Sequence, residues 1–225
     1  MKRLVGKKEA VISVFFIVLL LITILSFKFD KEISLGIASI RTGLLNEFFL
    51  GFTYLSSNIL IFFILTSLFL WSERKRKWIA PLWLTLFFSV AVGFLLKIIV
   101  QRPRPFDLGI PVIEAVRSST SGWWNYSFPS FQAMLVLSAL PILKKEFPRL
   151  KYIWYIFAFL VAFSRVYFGV HFLSDVLAGA LIGYIIGLLV LNLEEKYDFG
   201  IQINEMIYNK IMKLKEGKGK LKKKE

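Results

Sequence analysis

The feature that most restricts this chain is the alternation of long uncharged apolar runs with short clusters of Lys and Arg. Residues 10–27 (AVISVFFIVLLLITILSF) carry no charge and nearly reach the roughly 20 residues that a helix needs to cross a bilayer. Further apolar runs cover about 48–71, 79–100, 129–143, 152–168 and 172–193. Hydrophobic residues make up 56% of the 225, with 23 phenylalanines, which is more apolar surface than one aqueous core can hide. A lipid environment is the economical reading.

The basic clusters then set the topology. Lys2, Arg3, Lys7 and Lys8 precede the first run, and no small-residue cleavage site follows it, so it reads as a retained helix. SERKRKW (72–78), KKEFPRLK (144–151) and the Lys-rich tail (194–225) interrupt or follow later runs. Six spans with the N-terminus inside place every cluster on the cytoplasmic face, where positive loops are retained. Segment 31–47 differs. Ile33, Ile37, Ile40 and Leu44 recur at helical spacing among Lys31, Glu32, Arg41 and Glu47, the pattern of an amphipathic interfacial helix. The expectation is an all-α polytopic membrane protein of the cell membrane. It has six transmembrane helices, an interfacial helix between the first two, and both termini cytoplasmic. Residues 1–193 form the membrane domain and 194–225 a basic tail that attracts anionic lipids.

On this reading the net charge of +14 is a topology signal, and no nucleic-acid partner is expected. The absence of Cys excludes disulfides and thiolate sites, and one His excludes a multi-His metal site. Gly179, Gly183 and Gly187, four residues apart, mark a helix-packing face. Trp123, Trp124 and Tyr126 read as anchors at the outer interface, and Asn125-Tyr126-Ser127 fits a glycosylation acceptor in an outward loop.

Ionisable residues inside membrane spans are costly and mark function. Under the six-span topology, Lys97 and Arg104, Ser130 and Gln132, Arg165, and His171 with Asp175 come from four spans to one depth on the outer face. Two Arg and a Lys can surround a phosphoryl group, Arg by bidentate hydrogen bonds and Lys as a point charge. His171 and Asp175 are spaced i, i+4 and share a helix face, so Asp175 can accept the Nδ1 proton and leave Nε2 facing the phosphate as a nucleophile. Arg102 is read only as an anion-steering loop charge.

Lys97-(six residues)-Arg104-Pro105, Pro129-Ser130, and Ser164-Arg165-(five residues)-His171-(three residues)-Asp175 resemble the three signature motifs of the type 2 phosphatidic acid phosphatase (PAP2) superfamily, over a core from about 79 to 190. The resemblance implies a membrane lipid phosphatase without metal or other cofactor. Lys97, Arg104, Arg165 and Ser130 would bind phosphate, His171 would form a phosphohistidine, and Asp175 would orient it. The second motif departs from the family's Pro-Ser-Gly-His, reading Pro129-Ser130-Phe131-Gln132. Gln132 thus occupies the position of the usual general acid and cannot donate a proton near neutral pH, while water, Tyr126 or Asp107 remain alternative donors. A lipid diphosphate has a far better leaving group than a monoester, so a diphosphate such as a polyprenyl diphosphate is the expected substrate. The alternative is a protein that binds lipid phosphate as a sensor, scaffold or translocator.

Overall fold

The computed structural model describes the backbone of residues 2–117 and 125–221, and within these the side chains of residues 17–57, 60–117, 125–210 and 212. Trp123, Trp124 and the basic side chains at both ends of the sequence lie outside this description. The described residues form an all-α structure. Helix α1 is Lys2–Ser39, α2 is Gly43–Leu55 and α3 is Asn58–Leu70. A 3-10 turn, Glu73–Trp78, leads into α4, Ile79–Val100; a second, Pro105–Leu108, precedes the short α5, Glu114–Arg117. Then follow α6 (Phe131–Ser138), α7 (Leu140–Glu146), α8 (Leu150–Tyr167), α9 (Leu173–Tyr197) and α10 (Phe199–Leu221).

The expected count of six spans is not what the described residues show. Three helical segments are long and apolar enough to cross a membrane: Glu73–Leu108, Leu150–Tyr167 and Leu173–Tyr197. A fourth is added only if the pair around α2 and α3, bent by 60°, counts as one span. The expected first span, 10–27, lies partly on residues whose side chains are outside the description, and two physical features separate expectation from structure elsewhere. The run 129–143 contains Pro141, which lacks the N–H needed to continue a helix, so the segment divides into α6 of 8 residues and α7 of 7. Both pieces are largely enclosed by protein: Ala133, Met134, Leu135, Val136, Ser138 and Leu140–Leu143 are buried. The expected interfacial helix at 31–47 does not exist as a unit either. Helix α1 carries through its charged residues to Ser39, and a new helix starts at Gly43, where the Thr42 side chain accepts from Leu45 N.

The small-residue face on α9 behaves as its spacing suggests. A Cβ on Gly179, Gly183 or Gly187 would come within 2.6, 2.2 and 2.1 Å of the carbonyl oxygens of Ser130, Met134 and Ser138. Two rows with the same four-residue period therefore lie in register, backbone against backbone, and α6 is clamped on α9. Around this centre, Phe87, Ile99, Ile153, Ile156, Phe159 and Leu189 on α4, α8 and α9 are more than half exposed. Apolar surface of that extent suits lipid contact, and the protein is a multi-pass membrane protein.

The two ends of the bundle are chemically distinct. At one end the basic connections interlock. Lys75 Nζ donates to Glu146 O at 2.5 Å, Lys145 pairs with Glu195 at 2.5 Å, and Gly200 packs on Lys77 O. At the other end α4 finishes at Lys97–Val100, α6 begins, α8 finishes at Arg165–Tyr167 and α9 begins. All the candidate site residues belong to this second end.

Candidate active site

Helix α4 ends where Gln101 adopts a left-handed conformation (φ 49°) and its N–H caps Lys97 O at 3.0 Å. The chain then crosses the bundle end, and Asp107 accepts from Arg104 N at 2.9 Å, fixing the turn that carries Arg104. That contact occupies Asp107 in turn formation and leaves its side chain at the exposed edge. Ser130 N donates to Asp175 O at 3.1 Å, which ties the start of α6 to the first turn of α9. Between α8 and α9 the chain turns at Gly169 (φ 75°), where a Cβ would sit 2.5 Å from Pro111 O. Only glycine fits that turn, and it aims Val170 and His171 back toward Arg104.

Lys97, Arg104 and Arg165 are each 6% exposed or less, and His171 is 3% exposed. Lys97 Nζ donates to Tyr126 O. The Arg104 guanidinium donates to Val170 O at 2.6 Å and to Asn125 Oδ1 at 2.7 Å, and its Nη1 lies 3.4 Å from His171 Nε2. Arg165 Nε, Ser130 Oγ and His171 Nδ1 are buried without a hydrogen-bond partner among the described residues. Among those residues, none of the three cations forms an ion pair with a carboxylate. The oxygens that Lys97 and Arg104 bind are neutral ones, from Tyr126, Asn125 and Val170. Burying unpaired cations is expensive, so a set held this way is matched to an anionic group with several oxygens.

His171 lies between spans, and its imidazole is pushed down from 6.5 to about 3. Burial is the main cause; the Arg104 and Lys97 charges act in the same direction, and Asp175 opposes them. The ring is thus neutral at physiological pH. Because it is the sole histidine, the imidazole ¹⁵N shifts of labelled, ligand-free protein are expected to stay those of a neutral ring from pH 8 to about 5. Titration near the ordinary value would contradict the burial. The same shift fixes the sign of the linkage. Below 6.5 the unfolded chain takes up a proton that the folded site refuses, so this contribution to stability declines as pH falls toward about 3.

Asp175 is the hub of the site. Its Oδ2 accepts from Phe172 N at 2.8 Å and from Ser127 Oγ, and lies 3.8 Å from His171 Nδ1, longer than a hydrogen bond. Its Oδ1 accepts from Arg102 Nη1 at 2.6 Å. Arg102 is therefore no free steering charge: its Nη2 also pairs with Asp30 at 2.7 Å. Sequence reasoning passed over Asp30, although a carboxylate closing the run 10–27 needs a partner as much as any other intramembrane charge. The glycosylation reading fails on the same geometry, since Asn125 binds Arg104 and Ser127 is fully buried.

The departure in the second motif is accommodated by the fold. Phe131 opens α6 with ordinary backbone geometry, so no glycine is required there. Its ring occupies a niche over Gly93, where a Cβ would stand 2.5 Å from the ring, and the Lys97 ammonium lies 4.9 Å from the ring centroid. Gln132 follows, half-buried, in the first turn of α6.

The sequence profile of the PAP2 superfamily matches residues 78–198. Undecaprenyl-diphosphatase of Sulfolobus acidocaldarius is 32% identical over 113 residues, 49% of this chain and 52% of that protein, so the chain spans about half the length of that relative. Phosphatidylglycerophosphatase B of Bacillus subtilis is 30% identical over 181 residues, 74% of this chain and 84% of that one. The crystal structure of a transmembrane PAP2 type phosphatidylglycerolphosphate phosphatase from Bacillus subtilis superposes with a TM-score of 0.62 at 27% identity, covering 81% of this chain and 96% of that one. Aquifex aeolicus LpxE gives a TM-score of 0.62 at 33% identity, covering 72% and 94%. With the profile spanning more than half of the chain and the motif residues gathered at one end of its bundle, the protein belongs to the PAP2 superfamily, in its membrane-embedded lipid phosphatase branch.

Proposed function

We propose that the protein hydrolyses a lipid diphosphate through a phosphohistidine intermediate, at the extracytoplasmic face of the membrane. The observation that supports this most directly is the set of three buried cations, none paired with a carboxylate among the described residues, beside a neutral imidazole. In this reading Lys97, Arg104 and Arg165 surround the terminal phosphoryl group, and Ser130 donates to one of its oxygens. His171 Nε2 attacks phosphorus, a P–N bond forms, and the P–O bond to the leaving group breaks with its electron pair going to that oxygen. Asp175 takes the Nδ1–H as the imidazole gains charge, which closes the 3.8 Å gap; catalytic hydrogen bonds often tighten only in the complex. Water then cleaves the P–N bond, releasing inorganic phosphate and restoring His171. The face follows from the basic connections, which gather at the opposite end of the bundle and are retained inside.

The substrate class rests on Gln132. A diphosphate expels a phosphate monoester anion, which needs little protonation, whereas a monoester must expel an alkoxide. Purified protein in mixed micelles should therefore release phosphate from a polyprenyl diphosphate faster than from phosphatidic acid or phosphatidylglycerophosphate, by about tenfold or more. Equal rates would overturn the preference. Binding of the same lipids with no phosphate release would instead identify a lipid-phosphate-binding protein.

A further inference from the structure

We infer that Asp30 and Arg102 form a positioning pair that presents Asp175 to His171, making the N-terminal helix α1 a working part of the site. The inference rests on the phosphohistidine reading above and extends it to two residues outside the three motif sets. The Arg102 guanidinium bridges two buried carboxylates. Nη1 donates to Asp175 Oδ1 at 2.6 Å and Nη2 to Asp30 Oδ2 at 2.7 Å. Nη1 also lies 2.6 Å from Ser174 Oγ, and Ser174 is bound a second time by Asp30, through Ser174 N at 3.1 Å and through its hydroxyl. Asp30 and Asp175 are 3% and 0% exposed. The guanidinium is held between the rings of Phe27 and Phe172, 4.7 and 4.2 Å from their centroids.

Each member has a distinct task. Asp175 uses Oδ2 toward His171 and has its other oxygen occupied by Arg102, so the carboxylate cannot rotate without breaking a buried ion pair. Arg102 is itself fixed by a second carboxylate one helix away, in a fork geometry that Lys cannot reproduce. Asp30 also binds the Ser174 backbone, so α1 grips the first turn of α9 at the residue beside Asp175. Among the described residues, neither Asp30 nor Arg102 touches the phosphate cations or His171, so both act through Asp175 and the first turn of α9 that carries it.

The test is steady-state kinetics on the full-length protein in micelles, with Asp30→Asn, Arg102→Gln, Arg102→Lys and the Asp30→Asn/Arg102→Gln double variant. Groups that orient a reacting residue are commonly worth about 10–100-fold, so Asp30→Asn and Arg102→Gln should each lower kcat by that much. KM should stay within about twofold, because the phosphate-binding cations are untouched. The double variant should lose less than the product of the two single losses, since Asp30 acts partly through Arg102 and partly through Ser174. Arg102→Lys, which keeps the charge and loses the fork, should also lower kcat, and it carries the test if the Gln variant does not fold. Wild-type kcat in the folded variants, a raised KM with unchanged kcat, or multiplied losses in the double variant would overturn the pair as a positioning device while leaving the phosphatase reading intact. A wild-type protein that releases no phosphate would overturn both.

Discussion

Replacing His171 by Ala is expected to lower phosphate release by about 10⁴–10⁶-fold, the scale on which covalent catalysis fails when the nucleophile is removed. The chain makes this test unusually clean, because no second imidazole exists to substitute for the first. The loss should fall on kcat, since Lys97, Arg104 and Arg165, the proposed phosphate ligands, remain. The accompanying signature is chemical. Wild-type protein quenched during turnover of a terminally ³²P-labelled lipid diphosphate should carry acid-labile, base-stable label, and His171→Ala should carry none. Hydrogen bonding is not expected to confuse the result: among the described residues His171 Nδ1 has no partner and Nε2 only a 3.4 Å approach to Arg104, so truncation breaks no strong hydrogen bond. Activity that survived the substitution would remove the phosphohistidine mechanism and leave hydrolysis by directly activated water.

Much of this site was legible in the sequence because intramembrane charge is so expensive. Lys97, Arg104, Arg165, His171 and Asp175 stand out of apolar context, and the structure brings them to one bundle end. The glycine row on α9 was legible for a related reason, since a strict four-residue period has few uses other than close helix contact. The number of spans was not. Hydropathy measures apolarity without telling lipid from protein surroundings, so the enclosed α6 and α7 look like a span, and Pro141 was the signal against it. Arg102 was misread and Asp30 passed over because they are 72 residues apart and only tertiary structure pairs them. A charge on a loop invites a solvent-facing reading until its partner is seen.

Gln132→His is expected to raise kcat on lipid phosphate monoesters by about 10²–10⁴-fold, the usual worth of a general acid. On diphosphates the gain should stay within about tenfold, because their leaving group already carries its charge well. Such a gain requires the rest of the site to be preformed, and the geometry supports that. Ser130 N is bonded to Asp175 O, α6 is locked on α9 through Gly179 and Gly183, and Phe131 has its own niche over Gly93. The substitution therefore adds an imidazole to a fixed first turn and asks no backbone to move. Phosphate release from phosphatidic acid and from a polyprenyl diphosphate, measured on both variants, gives four rates and one decisive ratio. A selective gain on the monoester would show that the absent acid, and no defect in phosphate binding, narrows this protein to diphosphates. An equal gain on both substrates would mean that diphosphate cleavage also waits on a proton, and the substrate assignment built on Gln132 would fall. No gain on either would place residue 132 away from the leaving oxygen, and the proton would have to come from water or from Tyr126, whose backbone carbonyl already binds Lys97.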